Sequence, residues 1–176
     1  NAGIDVRIKE WGKDNQEVME SYEIELDGKV EPIKAIRNLG GHNILKNRIH
    51  GGVFLPGAYI PYYPDNLRFK EGVYAVETFG STKSNWVNEK KEENTIYMNK
   101  AHTTTKIAKN KDLTKFYKKL LKTYNTMPYC TRYLDKEYSV EKYMPNMEKL
   151  MEKEMVSGYP PLHCKNGGMT AQYEHT

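Results

Sequence analysis

The sequence predicts an α+β protein, an antiparallel sheet with flanking helices, and three stretches carry that prediction. Asp27-Gly28 sits between the alternating run Glu23 to Leu26 and the apolar positions that begin at Val30, and this dipeptide readily adopts the positive φ angles of a two-residue hairpin turn. Val73-Tyr74-Ala75-Val76-Glu77-Thr78-Phe79 is β-branched and aromatic nearly throughout, the composition of a strand. Leu113, Phe116, Tyr117, Leu120, Leu121 and Tyr124 recur at helical spacing and so share one face of an amphipathic helix. At 176 residues the chain suits one domain with room for an insert.

Taken in order, a first helix is expected over Lys13 to Tyr22, where Val18, Met19 and Tyr22 share a face and Trp11 packs one turn earlier. The hairpin follows, and Val30, Ile33 and Ile36 extend it past Pro32, whose missing N–H marks an edge position. Asn38 to Ala58 holds glycines at 40, 41, 51, 52 and 57 and reads as a loop or a sharply bent strand. Residues 81 to 102, beyond the strand, are polar and read as loop. Asp112 is the expected N-cap of the amphipathic helix. Ser139 is expected to cap another helix, marked by Val140, Tyr143, Met144, Met147, Leu150 and Met151, which Pro145 should kink or split. Gly158-Tyr159-Pro160-Pro161 ends that helix, and Thr170 to Thr176 reads as a final strand.

Composition narrows the function classes. Lys and Arg exceed Asp and Glu by four, mostly between Lys83 and Lys122, which reads as local surface bias rather than a polybasic arm. Cys130 and Cys164 are the only cysteines and form no C-x-x-C pair, so a disulfide framework and a thiolate zinc site are both disfavoured and a reducing, cytoplasmic setting fits. No run approaches the roughly 18 to 20 apolar residues of a membrane span. Asn1-Ala2-Gly3-Ile4 lacks both a Met and a signal-peptide pattern, and the chain stops at Glu174-His175-Thr176 with a strand under way; a piece of a longer polypeptide is the expectation.

Glu77 is the first candidate for chemistry. A carboxylate on the Val73, Ala75, Phe79 face of an apolar strand loses solvation worth several kcal/mol unless a charge or a metal compensates it. The plainer readings are a strand end reaching solvent or a buried salt bridge; Glu174, in Ala171-Gln172-Tyr173-Glu174-His175, poses the same question. His42 and His50 lie eight residues apart among glycines, a spacing without an established metal signature, and a solvated loop imidazole is the plain reading of each, as of His102, His163 and His175. One His and two Glu together supply the N and O donors that suit Mn, Fe, Co or Zn in a hydrolytic centre.

Five blocks extend this reading. Gly41-His42-Asn43-Ile44, Arg48-Ile49-His50-Gly51-Gly52, Val73 to Thr82, Tyr159-Pro160-Pro161-Leu162 and Ala171 to Thr176 resemble type 2 methionine aminopeptidases in order and spacing, and Asp5-Val6-Arg7 and Glu17 to Glu23 are similar too. The resemblance spans almost the whole chain and weakens between Lys83 and Ser157. It implies the C-terminal half of a pita-bread fold, with residues 1–102 and 158–176 in the sheet domain and 103–157 as the helical insert of type 2 enzymes. It further implies His42, Glu77 and Glu174 as ligands of two divalent ions (Co, Mn, Fe or Zn), with Glu174 bridging. Glu77 would then shuttle a proton, His50 would steady the scissile carbonyl, and His42, Ile49, His50 and Tyr159 would meet the substrate, an N-terminal methionine of a nascent polypeptide.

Two departures stand against full activity. Ile96 occupies a position where the family has a histidine, and none of Asp5, Asp14, Asp27, Asp65, Asp112 or Asp135 lies in the motif of the family's two aspartate ligands. An inactive chain that binds metal weakly is therefore expected. Competing readings are a non-catalytic pita-bread protein that binds RNA or ribosomes through the Lys-rich region, and a proline-cleaving enzyme of the same superfamily. A half-sheet with an unpaired edge should also self-associate.

Overall fold

The computed structural model describes residues 3–90, 94–100 and 104–176, and these separate into two compact units. The first comprises residues 1–46, 50–89 and 162–176; the second comprises 47–49 and 90–161. His102 and the expected boundary between 102 and 103 lie outside the described residues.

The first unit opens with helix α1 (Ile8–Glu20), five residues earlier than predicted. Ile8 and Trp11 are part of the helix because they bury against Leu55 and Phe69, where the Trp11 and Phe69 rings meet edge to face at 6.0 Å; tertiary packing thus extends it upstream. Strands β1 (Glu23–Leu26) and β2 (Lys29–Pro32) form the expected hairpin, with Asp27 and Gly28 at φ 51° and 71°. Next come β3 (Lys34–Ala35), β4 (Gly40–Ile44), β5 (Phe54–Pro56), β6 (Val73–Ser81) and β7 (Val87–Glu89).

The main sheet of this unit has the order β12-β6-β4-β5, where β12 is Thr170–His175, and β3 also pairs with β6. All its pairings are antiparallel. A separate ribbon joins β7 to β11 (Leu162–Cys164), and the Asn38 side chain bonds both the N–H and the C=O of Val87. The segment 38–58 is therefore not a loop throughout, since two strands run inside it. A Cβ on Gly41 would stand 2.0 Å from the Ala75 carbonyl oxygen, and one on Gly40 2.1 Å from that of Leu55. These glycines serve close backbone approach within a sheet rather than turning.

Three further expectations are corrected, mainly in the second unit. Residues 81–102 are not all loop, because β7 and β8 (Ile96–Asn99) fall there; Tyr97 is fully buried, so its aromatic packing outweighs the polar neighbourhood. Asn110, not Asp112, caps helix α2 (Lys111–Tyr124), its side chain accepting from the Leu113 N–H at 3.0 Å. Helix α4 (Val140–Glu152) runs unbroken through Pro145. Its Tyr143, Met147 and Leu150 are anchored in the core, and that burial offsets the one backbone bond the proline removes. Strand β9 (Tyr129–Cys130), helix α3 (Thr131–Asp135) and strand β10 (Val156–Tyr159) complete the unit. Its sheet has the order β10-β8-β9 and packs on a core that includes Tyr97, Phe116, Tyr117, Leu120 and Tyr129.

Candidate metal centre

Three adjacent strands of the first unit, β4, β6 and β12, carry His42, Glu77 and Glu174. Register decides whether these residues share a face. Glu174 is directly opposite Glu77, and His42 is directly opposite Ala75, two residues from Glu77 along the same strand. Directly paired residues point to the same side of a sheet, and so do residues two apart on one strand. All three candidate ligands therefore project from one face of the sheet.

His42 and Glu77 are in contact. Nε2 of His42 stands 3.4 Å from Oε1 of Glu77, and the two side chains are only 14% and 15% exposed. The Nδ1 of His42 is 3.2 Å from the carbonyl oxygen of Asn43. In the tautomer that donates Nδ1–H to that oxygen, Nε2 presents a lone pair toward the carboxylate, an arrangement that calls for a proton or a cation between them. Burial, together with the negative charge of Glu174 across the strand pair, pushes the Glu77 carboxyl above the usual range, while His42 pulls in the opposite direction.

His50 joins the same cluster, its ring centroid 4.5 Å from that of His42 at an edge-on angle of 73°. Partial desolvation, and then the neighbouring His42, hold its pKa below the ordinary imidazole value. The neutral imidazole is therefore the form this environment favours.

The residue that sequence reasoning passed over is Asn43. Its side-chain oxygen accepts from the Val53 N–H at 2.8 Å, its backbone N–H donates to Val53, and its carbonyl accepts from the Gly51 N–H at 2.7 Å. These bonds fasten the segment after His50 to β4. A Cβ on Gly51 would fall 2.5 Å from the Asn43 amide, so a larger residue there would displace the side chain that bonds Val53. The signal available in the sequence was an Asn beside a candidate ligand, with two glycines eight and nine residues downstream.

The other candidates fall elsewhere. Ile49 and Tyr159 belong to the second unit, where Tyr159 is half-exposed at the end of β10 and directly opposite Ile96 on β8. His163 lies on β11 and His175 at the end of β12.

The residues suit a divalent cation in donor type and in the face they share; they fall short in number. Among the described residues no group of three His, Cys, Asp or Glu side chains is close enough to enclose an ion. All residues of β12 are exposed, so Glu174 contributes a charge from the open edge of the sheet.

A solved structure titled as that of a thermophilic Arx1 matches 81% of this chain and 37% of that chain with a TM-score of 0.63 at 16% identity, and the fold is that of the pita-bread class. No protein-family model matches. The chain is 43% identical over 177 residues to methionine aminopeptidase 2-1 of Talaromyces stipitatus. It is 42% identical over 178 residues to methionine aminopeptidase 2-1 of Aspergillus flavus and to methionine aminopeptidase 2 of Arthroderma benhamiae. Each alignment takes in 99% of this chain, which spans only 38 to 39% of the length of these relatives. Over nearly its whole length the chain is thus similar to one part of the type 2 methionine aminopeptidases.

Proposed function

We propose that this chain carries part of the active site of a metalloaminopeptidase that removes the N-terminal methionine from nascent polypeptides in the cytoplasm. The observation that supports it most is the shared sheet face of His42, Glu77 and Glu174. On this reading residues 1–102 and 158–176 are the sheet part of the enzyme and 103–157 the family's helical insert.

His42, Glu77 and Glu174 would hold the cations. When bound, divalent ions supply charge neutralisation and Lewis acidity at neutral pH. Glu77 would take a proton from the attacking water and return it to the departing amine nitrogen. His50, neutral, would donate its N–H to the carbonyl oxygen as negative charge develops there. Ile49 and Tyr159 would contact the thioether side chain, and Ile96, opposite Tyr159, makes that neighbourhood more apolar than the histidine usual in the family.

The family's two aspartates are not matched in this sequence, and the chain by itself is proposed to be inactive. The test is Mn²⁺ uptake followed by electron paramagnetic resonance, beside methionine release from a Met-Ala-Ser peptide. Weak uptake is expected, lost in His42→Ala and Glu77→Gln but retained in the surface variant Glu89→Gln, with no release of methionine. Uptake that ignores His42 and Glu77 would overturn the site, and robust methionine release would overturn the inactivity.

A further inference from the structure

The second unit carries a concentration of positive charge that the peptidase reading does not use. From Lys106 to Lys122 the chain has seven lysines against one acid, Asp112. Helix α2 buries Leu113, Phe116, Tyr117 and Leu120, which turns the opposite face outward. At 100° per residue, Lys111, Lys115, Lys118 and Lys122 fall within one narrow stripe diametrically across from that buried face, and all four are exposed. Their steps along the helix are about 4.5 to 6 Å, from a rise of about 1.5 Å per residue. Among the described residues none of the four is in an ion pair.

Lys119, which lies beside the stripe, is spoken for: its ammonium is 2.5 Å from Glu137 and 4.9 Å from the ring centre of Tyr138. At the start of α2 a cavity of about 430 Å³ is lined by Lys106, Lys109, Asn110, Leu113, Lys149 and Lys153, with no acidic side chain among the described residues of its wall. Lys106 is partly engaged, by the Lys153 carbonyl at 3.2 Å and by Glu154 at 3.6 Å.

A row of lysines on a helix is often no more than a solvated face. Here the row begins beside a concavity lined by four more lysines, and the four exposed charges of the stripe follow a line at nearly even steps. A helix that lies in a bilayer surface also buries an apolar face there, and that face of α2 is already buried in the core. The stripe and the cavity wall contain no arginine for bidentate recognition, so the surface is suited to point-charge contact with phosphates and not to reading bases.

We propose that the outer face of α2 and the lysine-lined cavity at its start bind the phosphodiester backbone of RNA without sequence preference. This does not depend on the peptidase reading, and either can fail without the other.

Fluorescence anisotropy of the 176-residue chain with a labelled 12-nucleotide oligouridylate, across a salt series, tests it. The triple variant Lys115→Gln, Lys118→Gln, Lys122→Gln is expected to bind at least tenfold more weakly. Its slope of log affinity against log salt should be shallower by about 2, since each single-strand phosphate contact contributes about 0.7. Circular dichroism should show both proteins equally folded, and Lys13→Gln, Lys29→Gln, Lys70→Gln in the first unit should leave the affinity unchanged. Equal loss in the two triple variants would overturn the proposal. So would binding to oligoglutamate or to phosphatidylserine vesicles as tight as to the RNA.

Discussion

At the scale of single residues, the cost of isolating a polar group decides most outcomes. Tyr129 is almost fully buried, donates to Asn99 Oδ1 at 3.1 Å, and has its phenol pKa pushed strongly upward by burial, while Asn99 Nδ2 in turn donates to the Asn125 carbonyl. Tyr129→Phe leaves the Asn99 oxygen without that donor in a dry site and should cost about 1 to 3 kcal/mol in urea unfolding. Surface pairs act through pH instead. The Lys83 ammonium, 2.7 Å away, holds the half-buried Glu31 carboxyl below its ordinary pKa. Its contribution to stability is thus present above the ordinary carboxylate pKa and lost as pH falls through the lowered folded value. A series of melting temperatures from pH 7 to pH 3 should fall less steeply in Glu31→Gln than in the parent.

At the scale of elements, the parts legible in the sequence were those where local preference and tertiary packing agree. Asp27-Gly28 could be read because the turn needs positive φ, and α2 because its apolar spacing matches the face that is buried. In the sequence β4 stays open between loop and bent strand, and β8 is hidden, for opposite reasons. The glycines of β4 look like loop punctuation, yet they let β4 lie close to β6, which is what brings His42 beside Glu77. In β8, Ile96 to Asn99 is a short apolar run inside polar sequence, and its membership of a sheet depends on β10, some sixty residues later. Cooperation at such distance leaves no local trace. Of the candidate site, the identities of His42, His50, Glu77 and Glu174 could be read by resemblance; that the first three cluster and that Asn43 secures the loop after His50 could not. Gly41→Ala would drive a methyl into the Ala75 carbonyl and should cost about 3 kcal/mol, seen as a lower midpoint in urea and a loss of the His42 to Glu77 contact. Asn110→Ala removes the cap of α2 and should cost about 1 kcal/mol.

For the whole molecule, the division into two units separates two kinds of surface. The first unit gathers His42, His50, Glu77 and Glu174 on its main sheet, and the second presents the lysine row of α2. Among the described residues β12 is hydrogen-bonded to β6 on one side only, and all six of its residues are exposed. An open edge of this length invites pairing with another copy, so sedimentation velocity at increasing concentration should reveal dimers. A monodisperse monomer throughout would contradict that. The most direct test of the central claim is anomalous diffraction from crystals of the chain soaked in Mn²⁺. The account predicts a peak over the β4, β6 and β12 face, within coordination distance of His42 Nε2 and of the Glu77 and Glu174 carboxylates. A peak bound elsewhere, with the Glu174 side chain turned to the opposite face of the sheet, would contradict it.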